Sequence, residues 1–172
     1  MSNLKPEVGS QDHAQGGKSA AITIVEFGDY QCPHCGNAHP ILKEIEETFG
    51  DQVNFVFRNF PLKEIHELAL PAAVAAEAAG LQGKYWEMHD ALFDNQYRLS
   101  EDLFDELAET IGLDVEKFRS DSAADTVKEK IDDDFESGVR SGVNGTPSFY
   151  VNGTKFDGGA TDLYQMLQES TM

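Results

Sequence analysis

The feature that most constrains this chain lies between residues 22 and 35. An apolar, β-branched run, Ile22-Thr23-Ile24-Val25-Glu26-Phe27, stops at Gly28-Asp29 and is followed at once by Cys32-Pro33-His34-Cys35. The run reads as a buried strand leading into a turn. From Pro33 the apolar spacing becomes helical, with Ile41, Leu42, Ile45 and Phe49 on one face, Gly50 as the stop and Pro40 as an expected kink. Two cysteines therefore open a helix directly after a strand. A helix start leaves unpaired N–H groups and the positive end of the macrodipole beside the first sulfur, and both favour thiolate over thiol. Cys32 is expected to be the exposed nucleophile that enters a mixed disulfide, and Cys35, one turn further in, the shielded resolving thiol.

The residues between them tune that chemistry. Pro33 suits the first helical turn, where its missing N–H costs little, and His34 can place a positive charge or a hydrogen bond near Cys32. Stabilising the thiolate stabilises the reduced dithiol and makes the disulfide a stronger oxidant. Half of a zinc site is the other use of such a spacing. Outside the motif only His13, His39, His66 and His89 offer nitrogen, and there is no second CXXC, so no metal is expected. A structural disulfide would close too small a loop to stabilise much.

Strand and helix patterns alternate along the rest of the chain. Val53–Phe57 reads as a second strand, broken by Arg58-Asn59-Phe60-Pro61. Helical patterns fill Pro71–Ala79, Tyr85–Phe93, Ser100–Ile111, Val115–Arg119 and Ala123–Val139, with a hydroxyl N-cap at Ser100 and a stop at Gly112. After Gly142-Val143-Asn144-Gly145-Thr146-Pro147, a hairpin is predicted from Ser148–Val151 through Asn152-Gly153 to Thr154–Phe156, then a short helix carrying Leu163, Met166 and Leu167. The order is βαβ, a helical block, then ββα: an α/β fold with an all-helical insertion. Residues 1–20 are polar and read as a flexible tail. Residues 21–172 form one domain, with a core of 21–61 and 143–172 and an insertion of 62–142. At 172 residues, one core needs no staples.

A net charge of −18, from 13 basic and 31 acidic residues, repels phosphate backbones and argues against nucleic acid as a partner. No apolar run approaches the roughly 18–20 residues of a membrane span. The first twenty residues lack the pattern of a secretory signal. An extracytoplasmic site fits if a leader was removed, and a cytoplasmic one if the chain is complete.

The segment Ile24-Val25-Glu26-Phe27-Gly28-Asp29-Tyr30-Gln31-Cys32-Pro33-His34-Cys35, with Gly142-Val143-Asn144-Gly145-Thr146-Pro147-Ser148-Phe149, resembles the DsbA family of thiol-disulfide oxidoreductases over about residues 22–169. The resemblance implies a thioredoxin fold, with Pro147 as a cis-proline facing the dithiol and Thr146 presenting its backbone to an extended substrate strand. It also implies an acid at Glu26 that takes the proton of Cys35, with a pKa raised by desolvation; an edge or outward-facing position is the alternative for that residue. His39, His66 and His89 read as surface or helix-packing residues. The implied activity is exchange of the Cys32–Cys35 disulfide with thiols of extended or unfolded proteins by a monomer with no bound cofactor, recycled by an unidentified redox partner. Reductase or isomerase action, a kappa-like glutathione transferase and a non-enzymatic peptide-binding module are the alternatives.

Overall fold

The computed structural model describes residues 3–170. Strands β1 (His13–Gly16), β2 (Ile22–Gly28), β3 (Val53–Asn59), β4 (Ser148–Val151) and β5 (Thr154–Phe156) form one sheet in the order β1-β3-β2-β4-β5. β2 lies at its centre, parallel to β3 and antiparallel to β4. The parallel pair needs a crossover, which is helix α1 (Pro33–Phe49). The β4–β5 hairpin turns at Asn152-Gly153, where both residues have positive φ.

Alternation along the strands divides the core into two faces. Ile24, Phe55, Phe57 and Phe149 belong to a large cluster that includes Cys32, Cys35, Leu42 and Ile45 of the α1 region. The α7 helix (Ala160–Ser170) adds Leu163 and Leu167 to the same cluster. Val25, Phe27, Val56 and Tyr150 face the other way, with Phe60 and Val143. Glu26 shares parity with Ile24, so the pleat turns it towards the face covered by α1. It is 1% exposed on the central strand; the edge or outward-facing alternative does not hold.

The insertion consists of α2 (Ala69–Gly80), α3 (Tyr85–Asp94), α4 (Glu101–Thr110), α5 (Val115–Ser122) and α6 (Asp125–Ser141). Helix α2 is alanine-rich and buried almost all round, which lets α3, α5 and α6 pack closely about it. Ser100 caps α4 by accepting from the Leu103 N–H, as its sequence position predicts. Polar groups also join the insertion to the sheet. Asn59 donates from Nδ2 to Glu77 on α2 and Asp134 on α6, at 2.9 Å each. Lys130 bonds Asp134 at 2.7 Å, and His13 of β1 meets Glu77 at 2.9 Å.

Two sequence expectations need correction. The β3 strand does not break at Arg58 but continues to Asn59, because both buried polar residues find partners. Residues 1–20 are not simply a flexible tail: within them His13–Gly16 pairs antiparallel with β3, and Leu4 is buried. The polar character read as a tail serves Arg58, which is 1% exposed. Its guanidinium donates to both Asp12 carboxylate oxygens at 2.9 Å, to the Pro6 and Glu7 carbonyls at 2.9 and 3.3 Å, and to Ser137 Oγ at 2.9 Å. Met1, Ser2, Thr171 and Met172 lie outside the described residues.

The Arg58–Asp12 pair generates a prediction. Removing one partner of a buried, hydrogen-bonded pair leaves the other charge uncompensated, a loss on the order of 3–5 kcal/mol. Asp12→Ala is expected to lose about that much in urea denaturation at pH 7. Burial raises the Asp12 pKa, but hydrogen bonding and charge from Arg58 outweigh it, and the net shift is downward from 3.8. The stabilisation is therefore complete above that value and fades as pH falls through the native pKa. The gap between wild type and variant should narrow on acidification; a pH-independent gap would show that the pair does not act through charge.

Candidate active site

Cys32 occupies the N-cap of α1, with Pro33 in the first turn. Its N–H donates to the Asp29 carbonyl at 3.1 Å, and its own carbonyl accepts the first helical bond, from Gly36, at 3.0 Å. The Cys35 thiol is the largest influence lowering the Cys32 pKa. Thr146 and the backbone N–H groups of Cys35 and His34 add to it, and together they overcome burial to bring the thiol from 9.0 to about 5. The structure assigns His34 a backbone role; its imidazole is exposed, with no hydrogen bond among the described residues.

Cys35 is fully buried and behaves in the opposite way. Burial, its hydrogen bond to Cys32 and the charge of Glu26 push its pKa well above 9.0. Neither Glu26 oxygen has a hydrogen-bond partner among the described residues. Burial and then the Cys32 charge raise its pKa from 4.5 to about 8. The site thus pairs a thiol that ionises readily with a thiol and a carboxyl that resist ionisation.

Thr146 and Pro147 arrive from the far end of the chain because β4 pairs with β2. Phe27 lies opposite Ser148, which sets the preceding loop beside the end of β2 where the cysteines begin. The Ser148 hydroxyl pins that loop by donating to the Gly145 carbonyl at 2.7 Å. The Thr146–Pro147 peptide bond is cis, and the Cys32 thiol donates to the Thr146 carbonyl at 3.6 Å. This contact changes one expectation: Cys32 is 4% exposed, not open to solvent.

Several residues that sequence reasoning did not select hold the dithiol loop. Gln96 donates from Nε2 to the carbonyls of Tyr30 and Cys32, at 2.9 and 2.8 Å. A Cβ on Gly36 would lie 2.1 Å from the Gln96 side chain, so this close approach requires glycine. Asp29 accepts from the Gln31 and Leu62 N–H groups and pairs with His66 Nδ1 at 2.7 Å. The Gln31 side chain in turn accepts the Leu68 N–H. Asp29 carried a signal, an acid able to bond backbone two residues on in a turn. Gln96 carried none, because its partners are 64 and 66 positions away.

His39 and His89 are buried, at 6% and 2% exposure, so the surface half of their expectation fails while helix packing holds. His66 lies before α2 and bonds Asp29 instead of packing within a helix. Tyr30 is a core residue whose hydroxyl meets His89 Nδ1 at 2.8 Å.

Two measurements follow from these proton affinities. Iodoacetamide labelling of the reduced protein should rise with a midpoint near pH 5 and fall on Cys32, with Cys35 unlabelled in the native state. A midpoint above pH 8 would contradict the thiolate environment. Because the native pKa of Glu26 is raised to about 8, its favourable contribution is present below about 4.5 and is lost as pH rises through 8. Glu26→Gln should therefore gain stability relative to wild type between those limits and hold a constant advantage above them. Parallel urea-denaturation curves across that range would show that Glu26 ionises freely.

The thioredoxin family model matches residues 9–168. In sequence, the chain is 40% identical over 148 residues to the Na(+)/H(+) antiporter NhaA 1 of Salinispora arenicola, covering 86% of this chain and 22% of that protein. The chain thus spans only 22–26% of the length of these curated relatives. In structure, it is similar to a thioredoxin-like oxidoreductase from Silicibacter pomeroyi, with 30% identity, a TM-score of 0.80 and coverage of 95% and 94% of the two chains. The thiol-disulfide exchange protein alpha-DsbA2 from Wolbachia pipientis shares the fold at a TM-score of 0.82 and 24% identity, covering 93% of this chain and 86% of its own. The mixed sheet with its helical insertion, the two-cysteine helix start and the family match agree: the chain belongs to the thioredoxin family, with the fold of its DsbA-like thiol-disulfide oxidoreductases.

Proposed function

We propose that this chain is a protein thiol-disulfide oxidoreductase that donates its Cys32–Cys35 disulfide to thiols of extended or unfolded polypeptides, acting as a monomer without a bound cofactor. The observation that carries this reading is the contrasting placement of the two sulfurs: Cys32 lies at the N-cap of α1, which favours its thiolate, with the Thr146 carbonyl at 3.6 Å, while Cys35 is fully buried, which disfavours its own.

A substrate thiolate attacks Cys32 Sγ, the Cys32–Cys35 bond breaks, and its electron pair leaves on Cys35. Protonated Glu26 supplies a proton to that buried sulfur, so that no thiolate is left in the core. A second substrate thiolate then attacks its partner's sulfur in the mixed disulfide and releases Cys32 as a thiolate. The substrate is oxidised by two electrons and the Cys32–Cys35 pair is reduced by two. A separate redox partner must remove those electrons. In the reverse direction Glu26 accepts the Cys35 proton. The Thr146 backbone, next to the dithiol, suits recognition of an extended segment by strand-like hydrogen bonds, with Pro147 shaping the loop.

The low proton affinity of Cys32 favours the oxidant over a reductase or isomerase, because it stabilises the reduced form. We ascribe to the chain this dithiol chemistry and not the ion exchange in its relatives' name, since the thioredoxin family model matches nearly all of the segment described. No helix among the described residues is long and apolar enough to cross a membrane.

Equilibration in glutathione buffers is expected to give a reduction potential well above thioredoxin's value of about −270 mV. A potential near thioredoxin's would overturn the oxidant reading in favour of reduction or isomerisation. Cys35→Ala should trap polypeptides as mixed disulfides on Cys32. Full activity in Cys32→Ser would instead favour a kappa-like glutathione transferase, and peptide binding indifferent to both cysteines a non-enzymatic module.

A further inference from the structure

Where α3 lies against α1, three side chains outside the dithiol site converge. One ligand atom from each of His39, His89 and Asp90 lies within 4.8 Å of the other two. His39 Nε2 is 3.7 Å from Asp90 Oδ1 and 3.9 Å from Asp94 Oδ1. We propose that His39, His89 and Asp90, completed by Asp94, bind a divalent transition metal of the zinc type.

The donor set suits such an ion: imidazole nitrogen with carboxylate oxygen is a common zinc environment. Bound to one ion at about 2.0–2.2 Å each, tetrahedral donors lie about 3.4 Å apart. The His39–Asp90 separation is already close to that, and side-chain rotation would close the rest. Asp90 Oδ1 is a buried oxygen with no hydrogen-bond partner among the described residues. Such an atom is costly to bury, and coordination would satisfy it.

The surroundings orient these ligands as outer-shell groups do in metal sites. The Tyr30 hydroxyl holds His89 Nδ1 at 2.8 Å, which leaves Nε2 for the metal. Lys43 holds Asp90 Oδ2 at 3.0 Å and leaves Oδ1 available. Lys43 is a single positive charge between Asp90 and Glu46, at 3.0 and 2.9 Å from its ammonium, and Asp94 adds a further negative charge beside His39. The neighbourhood remains net negative and favours a cation. Asp94 is exposed, giving an approach from solvent, while the histidines are buried. The ion would tie the catalytic helix to the insertion and, through Tyr30, abut the segment leading into Cys32.

The test uses the full chain with its Cys32–Cys35 disulfide formed, so that thiolates cannot compete. Calorimetric titration with Zn2+ should show one equivalent bound, and Co2+ should give the visible absorption of a low-coordinate site. Zinc should also raise the Tm. His39→Gln should weaken zinc binding by more than the roughly 10- to 100-fold that loss of an outer-shell partner costs, and Tyr30→Phe should fall within that range. Asp90→Asn, at a partly exposed position, carries the test if His39→Gln does not fold. Absence of stoichiometric zinc binding, or binding unchanged in the folded ligand variant, would overturn the proposal; weak binding of several ions at the acidic surface counts as the same negative result.

Discussion

The active site depends on how the first turn of α1 is held against the end of β2. Cys32 must cap the helix, with its carbonyl accepting the Gly36 N–H, and keep its sulfur beside the N–H groups of the first turn, and both require its backbone to be fixed. Asp29 fixes it from before, through its carbonyl to the Cys32 N–H and its carboxylate to Gln31, Leu62 and His66. Gln96 fixes it from outside by donating to two carbonyls of the loop. A sulfur aimed at fixed donors gains thiolate stabilisation without reorganising them at each turnover, which is why the insertion matters to the chemistry as well as to packing.

The same strand that delivers Cys32 delivers Glu26, two positions before Gly28, on the face covered by α1. A carboxyl there has no hydrogen-bond partner among the described residues and remains largely protonated near neutral pH. Elsewhere the fold follows the opposite rule. Arg58 satisfies its guanidinium fully, and Glu77, despite burial, has its pKa lowered by hydrogen bonds and charge from His13. Unpaired burial at Glu26 beside paired burial at Arg58 separates a carboxyl left without a partner next to the dithiol from groups placed to hold elements together.

Much of the fold was legible because its signals are local. The β-branched run at 22–27, the Asn152-Gly153 turn and the Ser100 cap each depend on neighbours a few positions away, and the element order followed from them. The polar N-terminal segment misled because its partner, Arg58, lies 46 positions from Asp12. Arg58 itself read as a strand breaker for the same reason: a buried charge looks improbable until its five donors are matched.

By itself the sequence determined which sulfurs could react, and that they would open a helix, since the order of strand, turn and CXXC sets the backbone geometry over a dozen residues. Tertiary structure alone decided what surrounds them. The β2–β4 register put Thr146 against Cys32, the pleat turned Glu26 inward, and the insertion brought Gln96 and His66 to the loop. The physical reason is range: hydrogen-bond capping and helix polarity act within one turn of chain, whereas desolvation and charge at a buried sulfur depend on whichever distant segments the packed sheet brings within a few ångströms.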